Sequence, residues 1–179
     1  QDKESGGMKT MRIRQEEPKD YGEVYELIKE AFAAAEHADG NEQDLTAALR
    51  KGSAFIPELS LVAEENGELA GHILFTKAHV GECEVLVLAP LSVKPKYQRQ
   101  GVGTALMKEG HKIAAGLGYP YVMVLGSETY YPRAGYIPAA ELGVEVPEGI
   151  PSANFMGMKL REDAPSIGGK LVYAEEFGI

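Results

Sequence analysis

Gln98-Arg99-Gln100-Gly101-Val102-Gly103-Thr104 stands between an apolar run and a helical one. Two glycines at this spacing let the backbone approach a ligand closely, and the helix start that follows offers unpaired N–H groups at the positive end of its dipole. The stretch suits a phosphate or pyrophosphate. Charge placement agrees. Residues 94–112 hold five basic side chains (Lys94, Lys96, Arg99, Lys108 and Lys112) against one acid, Glu109, in a chain of 179 residues whose formal net charge is −9.

Outward from this loop the pattern is that of a mixed α/β (α+β) protein. Upstream, residues 59–65 and 69–79 are β-type and join at Asn66-Gly67, a dipeptide that tolerates the positive φ of a tight hairpin. A third β-type run, 83–93, follows a turn at Gly81 and completes an antiparallel meander. Pro90 interrupts it; proline donates no ladder hydrogen bond, so it marks an edge, a bulge or a place where the neighbouring strand parts company. Downstream, a helix is expected from Gly101 to Leu117, with Val102, Leu106, Ile113 and Leu117 on one stripe. Tyr121-Val122-Met123-Val124-Leu125 is continuously apolar, as a strand covered on both faces is. A first strand at 11–14, a helix capped by Asp20 and a second helix through Leu45, Ala48 and Leu49 precede the meander. A helical turn at 130–134 and strands at 136–139 and 154–160 close the sheet. The sum is a central sheet of about six to seven strands flanked by about four helices. One domain is expected over 8–179; residues 1–7, before Met8, read as an expression remnant.

Composition excludes several classes. The acidic balance and a sequence pI of about 5.0 argue against nucleic acid as a partner. Cys83 is alone, so neither a disulfide framework nor a cysteine-based zinc site is available, which fits a reducing, cytoplasmic setting. The apolar runs are far shorter than the roughly 20 residues of a membrane helix. His37, His72, His79 and His111 lack metal-ligand spacing, so no metal is expected.

Three phosphate-binding patterns compete for the loop. Walker A fails, because Gly168-Gly169-Lys170 is followed by Leu171; the dinucleotide fingerprint has Leu106 where its third glycine belongs. The third pattern, [QR]-x-x-G-x-[GA], is filled by Gln98, Gly101 and Gly103. With Leu91-Ser92-Val93 before it and Tyr131-Pro132-Arg133-Ala134-Gly135-Tyr136 after it, the sequence resembles the GNAT superfamily of acetyl-CoA-dependent N-acetyltransferases. The specific motifs span 91–136; the flanks match in element order, and the tail is similar to a bacterial branch of largely unassigned substrates.

The resemblance implies a sheet that splays at the cofactor site, acetyl-CoA as co-substrate, and an amine acceptor. It also implies Tyr131 as the general acid that protonates the leaving thiolate. Leu91, Ser92 and Val93 would meet the pantetheine arm, backbone N–H and C=O groups of Leu91 and Val93 pairing with it as a pseudo-strand. Amides of Gln100, Gly101, Val102, Gly103 and Thr104 would hold the pyrophosphate, with Gln98 filling the signature and Lys94, Lys96 or Arg99 meeting the remaining charge. No glutamate lies on the strand before the loop, so Glu128, His79, Ser127 or a water relay stand as base candidates. Tyr130 reads as a packing residue. The acidic stretch with Glu36, Asp39, Glu42 and Asp44 lies where the family lines its acceptor pocket and would attract a cationic amine. Dimers are common in the family, which makes a homodimer the implied oligomer. The alternative function is a non-catalytic CoA sensor on the same fold, and a nucleotide-binding regulatory domain is third.

Overall fold

The computed structural model describes residues 11–33 and 40–179. Residues 1–7, read as a remnant, lie outside that range, as do Glu36 and Asp39.

Long apolar runs, continuously buried over much of β2 to β5, produce one sheet with strands β1 (Arg12–Gln15), β2 (Phe55–Glu65), β3 (Glu68–Val80), β4 (Cys83–Val93), β5 (Tyr121–Leu125), β6 (Ile137–Pro138), β7 (Phe155–Lys159) and β8 (Leu171–Val172). Their order is β1-β2-β3-β4-β5-β7-β6, with β8 pairing β3 at His79 and Val80. The meander β2-β3-β4 is antiparallel, and Asn66 (φ 55°) and Gly67 (φ 83°) take the turn between β2 and β3. The crossover from β4 through α3 (Val102–Gly116) returns to a parallel neighbour, β5. The sheet thus has eight strands rather than six or seven, because a two-residue segment of the tail adds β8.

Three α-helices accompany it among the described residues: α1 (Tyr21–Phe32), α2 (Glu42–Arg50) and α3. That is one fewer than the expected four or so; the helical turn expected at 130–134 is a single 3-10 turn, Tyr131–Ala134, with Pro132 at its start and Gly135 (φ 107°) closing it. Asp20 precedes α1 without capping it; its carboxylate is taken instead by Arg14 at 2.7 and 2.9 Å and by the Glu17 amide.

Each face of the sheet is covered differently. Ile73 and Phe75 of β3, Leu86 and Leu88 of β4 and Val122 and Val124 of β5 pack with Val102, Leu106 and Met107 of α3. Gly110 is required there, since a Cβ would run into the Phe75 ring. Leu117, expected on this stripe, is 47% exposed beyond the helix end. On the other face Val24, Leu27 and Ile28 of α1, spaced three and one apart, bury against Val62 and Leu69. Farther along, Val85, Val87, Tyr121 and Met123 are roofed by the tail, including Leu171, Tyr173 and Phe177.

Candidate functional site

The site begins where two strands separate. β4 and β5 pair only at Leu86↔Val122 and Val87↔Met123; beyond this β5 continues against β7 and β4 continues against β3. A β-bulge falls at the parting. Between the pairs Phe75↔Leu88 and Ile73↔Leu91, β4 holds Ala89 and Pro90, joined by a cis peptide bond, opposite the single Leu74 of β3. Farther on, Lys94 N–H donates to Ala70 O, and since antiparallel bonding directions alternate, the N–H and C=O groups of Leu91 and Val93 point away from β3, into the gap. One of these is already used: Val93 O accepts from Gln98 Nε2 at 3.0 Å, so Gln98 ties the phosphate loop to the strand.

The loop makes the end wall of the gap. Arg99 (φ 62°) and Gly101 (φ 86°) both take left-handed backbone, and the turn delivers the chain into α3. Ala105 N–H bonds Gly101 O, so the helix's own ladder starts there and the amides of Val102, Gly103 and Thr104 stay free for a ligand. Gly103 has a second purpose. A Cβ there would collide with the Tyr130 hydroxyl, which sits over the first turn of α3.

Between strand gap and loop lies a cavity of about 670 Å³. Of the residues expected at the cofactor, it is lined by Leu91, Val93, Gln98, Arg99, Gly101, Val102, Gly103 and Thr104, together with Tyr131. Two stand apart from it. The Ser92 side chain is buried on the opposite face, across from His72, and Gln100 turns its amide to Lys96 O at 3.0 Å. The cavity also takes Met107, Tyr130 and Arg133, which sequence reasoning left out; Tyr130 therefore belongs to the site wall as well as to the packing.

Charge at the mouth differs from expectation. Lys94 and Lys96 both pair with Glu68, at 3.0 and 2.6 Å, and Tyr97 donates to the same carboxylate at 2.6 Å. This threefold grip holds Glu68 down at about 2 and turns both lysine side chains toward one carboxylate. Arg99 and Arg133, among the described residues, have no ion-pair partner, and Arg133 lies 5.5 Å above the Tyr130 ring.

Tyr131 is held by packing. Its ring fills the space beside Gly126, where a Cβ would come within 2.6 Å of Cε2, and meets Tyr130 and Tyr136 edge-on at 5.1 and 5.6 Å. Burial raises its hydroxyl pKa well above the ordinary tyrosine value, so it remains a proton donor through the neutral range. Behind it, Tyr136 OH is hydrogen-bonded to His111 Nε2 at 2.7 Å, and burial holds that imidazole down at about 4.

The sequence model of the Acetyltransferase (GNAT) family matches residues 21–140. The chain belongs to that family. The uncharacterized N-acetyltransferase YjhQ of Escherichia coli (strain K12) is 39% identical over 137 residues, covering 74% of this chain and 73% of its own length. A GNAT family acetyltransferase from Brucella melitensis, solved in complex with acetyl-CoA, superposes with a TM-score of 0.78 at 31% identity over 93% of this chain and 97% of its own. The GNAT family N-acetyltransferase YhbS of Escherichia coli, solved with CoA, superposes at 0.87 with 26% identity over 100% of this chain and 97% of its own. The chain is an acyltransferase with the GNAT fold.

As a GNAT site it shows, among the described residues, no carboxylate or imidazole in the cavity lining. Glu128 accepts from Asn154 Nδ2 at 2.5 Å, and Ser127 Oγ caps the turn by accepting the Thr129 and Tyr130 amides. His79 lies away from the gap, at the distal end of β3, in a separate cavity of about 380 Å³ with Glu84 and Glu176. Cys83 is half-buried at the edge of the tail-covered core, and burial raises its thiol pKa.

A polar cluster lies behind β4, on the face away from α3. Glu16 pairs with Arg50 at 2.6 Å and accepts from Ser60 Oγ at 2.7 Å, and Ser60 Oγ is 3.0 Å from His72 Nε2. Burial pushes the fully enclosed His72 down to about 4. Its members come from 16, 50, 60 and 72, a scatter no local spacing reveals. Among the described residues no helix is long and apolar enough to cross a membrane, and no group of three His, Cys, Asp or Glu is placed to hold a metal.

Proposed function

We propose that the chain moves an acetyl group from acetyl-CoA to a primary amine of a small molecule or peptide, by direct attack within a ternary complex. The observation that carries this reading is the joining of three features in one cavity: backbone groups of Leu91 and Val93 turned into the β4/β5 gap, free amides at the start of α3, and a protonated Tyr131 in the wall. The Leu91 amide side of the gap offers the pantetheine arm a strand edge, and a backbone N–H there stabilises the oxyanion formed as the neutral amine adds to the thioester carbonyl. When the carbon–sulfur bond breaks, Tyr131 supplies the proton that the thiolate takes up. The proton shed by the amine leaves through water, since no side chain of the lining among the described residues is a carboxylate or imidazole.

The acceptor is read as cationic. Glu42 and Asp44 put negative charge on the first turn of α2, where Asp44 accepts from Tyr25 OH at 2.8 Å. Charge-neutralising changes there raise the acceptor KM in a salt-dependent way; an unchanged KM across a salt series removes this part of the reading. The protein is read as one cytoplasmic domain.

A steady-state assay of free thiol release from acetyl-CoA against a panel of amines tests the activity. Turnover that depends on the amine is expected. Binding of acetyl-CoA with no thiol released by any amine supports instead a non-catalytic sensor, which the base-free lining favours.

A further inference from the structure

The two guanidiniums at the cavity mouth and the ring beneath one of them are not absorbed by the reading above. Lys94 and Lys96 are drawn to the single carboxylate of Glu68, which leaves the cluster one positive charge, whereas Arg99 and Arg133 line the cavity without an ion partner among the described residues. They come from different elements, Arg99 from the loop before α3 and Arg133 from the turn after β5. Arg133 is exposed and stands 5.5 Å over the Tyr130 ring. Tyr130 in turn is fixed at both ends. Its amide donates to Ser127 Oγ at 3.1 Å, and its hydroxyl is seated on Gly103. A guanidinium resting on an aromatic face loses less freedom when it grips an oxyanion, and its planar fork suits phosphate oxygens.

We propose that Arg133, carried on the Tyr130 ring, is a cofactor-binding residue that closes on the phosphates of acetyl-CoA from the side opposite the loop. Tyr130 is its positioning residue. This rests on the acetyl-CoA reading. The cofactor's phosphates are then held between the α3 amides and Arg99 on one wall and Arg133 on the other. The lysines that sequence proximity suggests serve to fasten β3 to the loop through Glu68.

The test is calorimetric titration with acetyl-CoA at several salt concentrations, on folded variants checked by their melting midpoints. Arg133→Gln is expected to weaken binding about tenfold or more, as loss of a charge-assisted bond to phosphate does, and to flatten the dependence of Kd on salt. Lys94→Gln and Lys96→Gln change Kd less than threefold. Tyr130→Leu weakens binding about as much as Arg133→Gln, and the double variant is no worse than either, because both remove the same grip. Tyr130→Phe keeps the ring and most of the affinity. An Arg133→Gln protein that binds like wild type, or more weakly with the same salt slope, overturns the proposal, as does a larger loss from either lysine. Additive losses in the double variant overturn the positioning role of Tyr130. If wild type itself gives no binding, the acetyl-CoA reading fails first.

Discussion

The two faces of the sheet hold polar groups of opposite kinds. On the α3 face, free amides, Arg99 and Arg133 surround an open cavity of about 670 Å³ with their charges unpaired. On the other face Glu16, Arg50, Ser60 and His72 close on one another, and the Arg50 and Glu16 side chains are only 9% and 1% exposed. One residue step separates them: Leu91 and Val93 meet the gap while the Ser92 side chain lies opposite His72. Open and uncompensated charge is where a ligand completes the electrostatics; closed and compensated charge is where the fold has already done so.

The closed side gives the largest expected effect. Arg50→Ala leaves the Glu16 carboxylate buried without its cation and is expected to cost roughly 3–5 kcal/mol in denaturant unfolding. Acetyl-CoA affinity of the folded fraction stays within about twofold of wild type. A variant that kept full stability would show that the cluster is not closed.

Acid probes the same contrast. His72 and His111 both sit at about 4 when folded against an ordinary 6.5, so the unfolded chain takes up their protons first as pH falls. Stability is therefore complete above pH 6.5 and declines from there toward pH 4, by at most roughly 3 kcal/mol per histidine. Urea midpoints measured at intervals through that window check this, and a flat profile contradicts it.

On the open side the expected effects are on function. Tyr131→Phe removes the acid while keeping the packed ring, so kcat for a responsive amine falls about a hundredfold while acetyl-CoA Kd moves less than threefold. A kcat within a factor of three assigns the proton to water. The smallest expected change is in Glu68→Gln, which releases Lys94 and Lys96 and should tighten acetyl-CoA binding by about twofold or less, an effect that vanishes at high salt.

What the chain's local pattern carried, and what it did not, divides along the same line. The meander, the break at Pro90, the loop and the parallel return to β5 depend on periodicity and on glycine or proline at fixed places, so they were legible. The pull of Lys94 and Lys96 toward Glu68, the seat of Tyr130 on Gly103 and the cluster at Glu16, Arg50, Ser60 and His72 join residues roughly 12 to 44 apart, beyond the reach of helical or strand spacing. The helical turn at Tyr131–Ala134 was legible as well: Pro132 and Gly135 stand only three apart, too close to contain a longer helix.

Calorimetric titration of acetyl-CoA into wild type and Gly103→Glu decides whether the start of α3 holds the cofactor. Wild type is expected to bind one equivalent per chain. The variant, which places a carboxylate among the free α3 amides and displaces Tyr130, is expected to lose at least a hundredfold in affinity while still folding. No binding by wild type, or equal binding by the two proteins, contradicts the account.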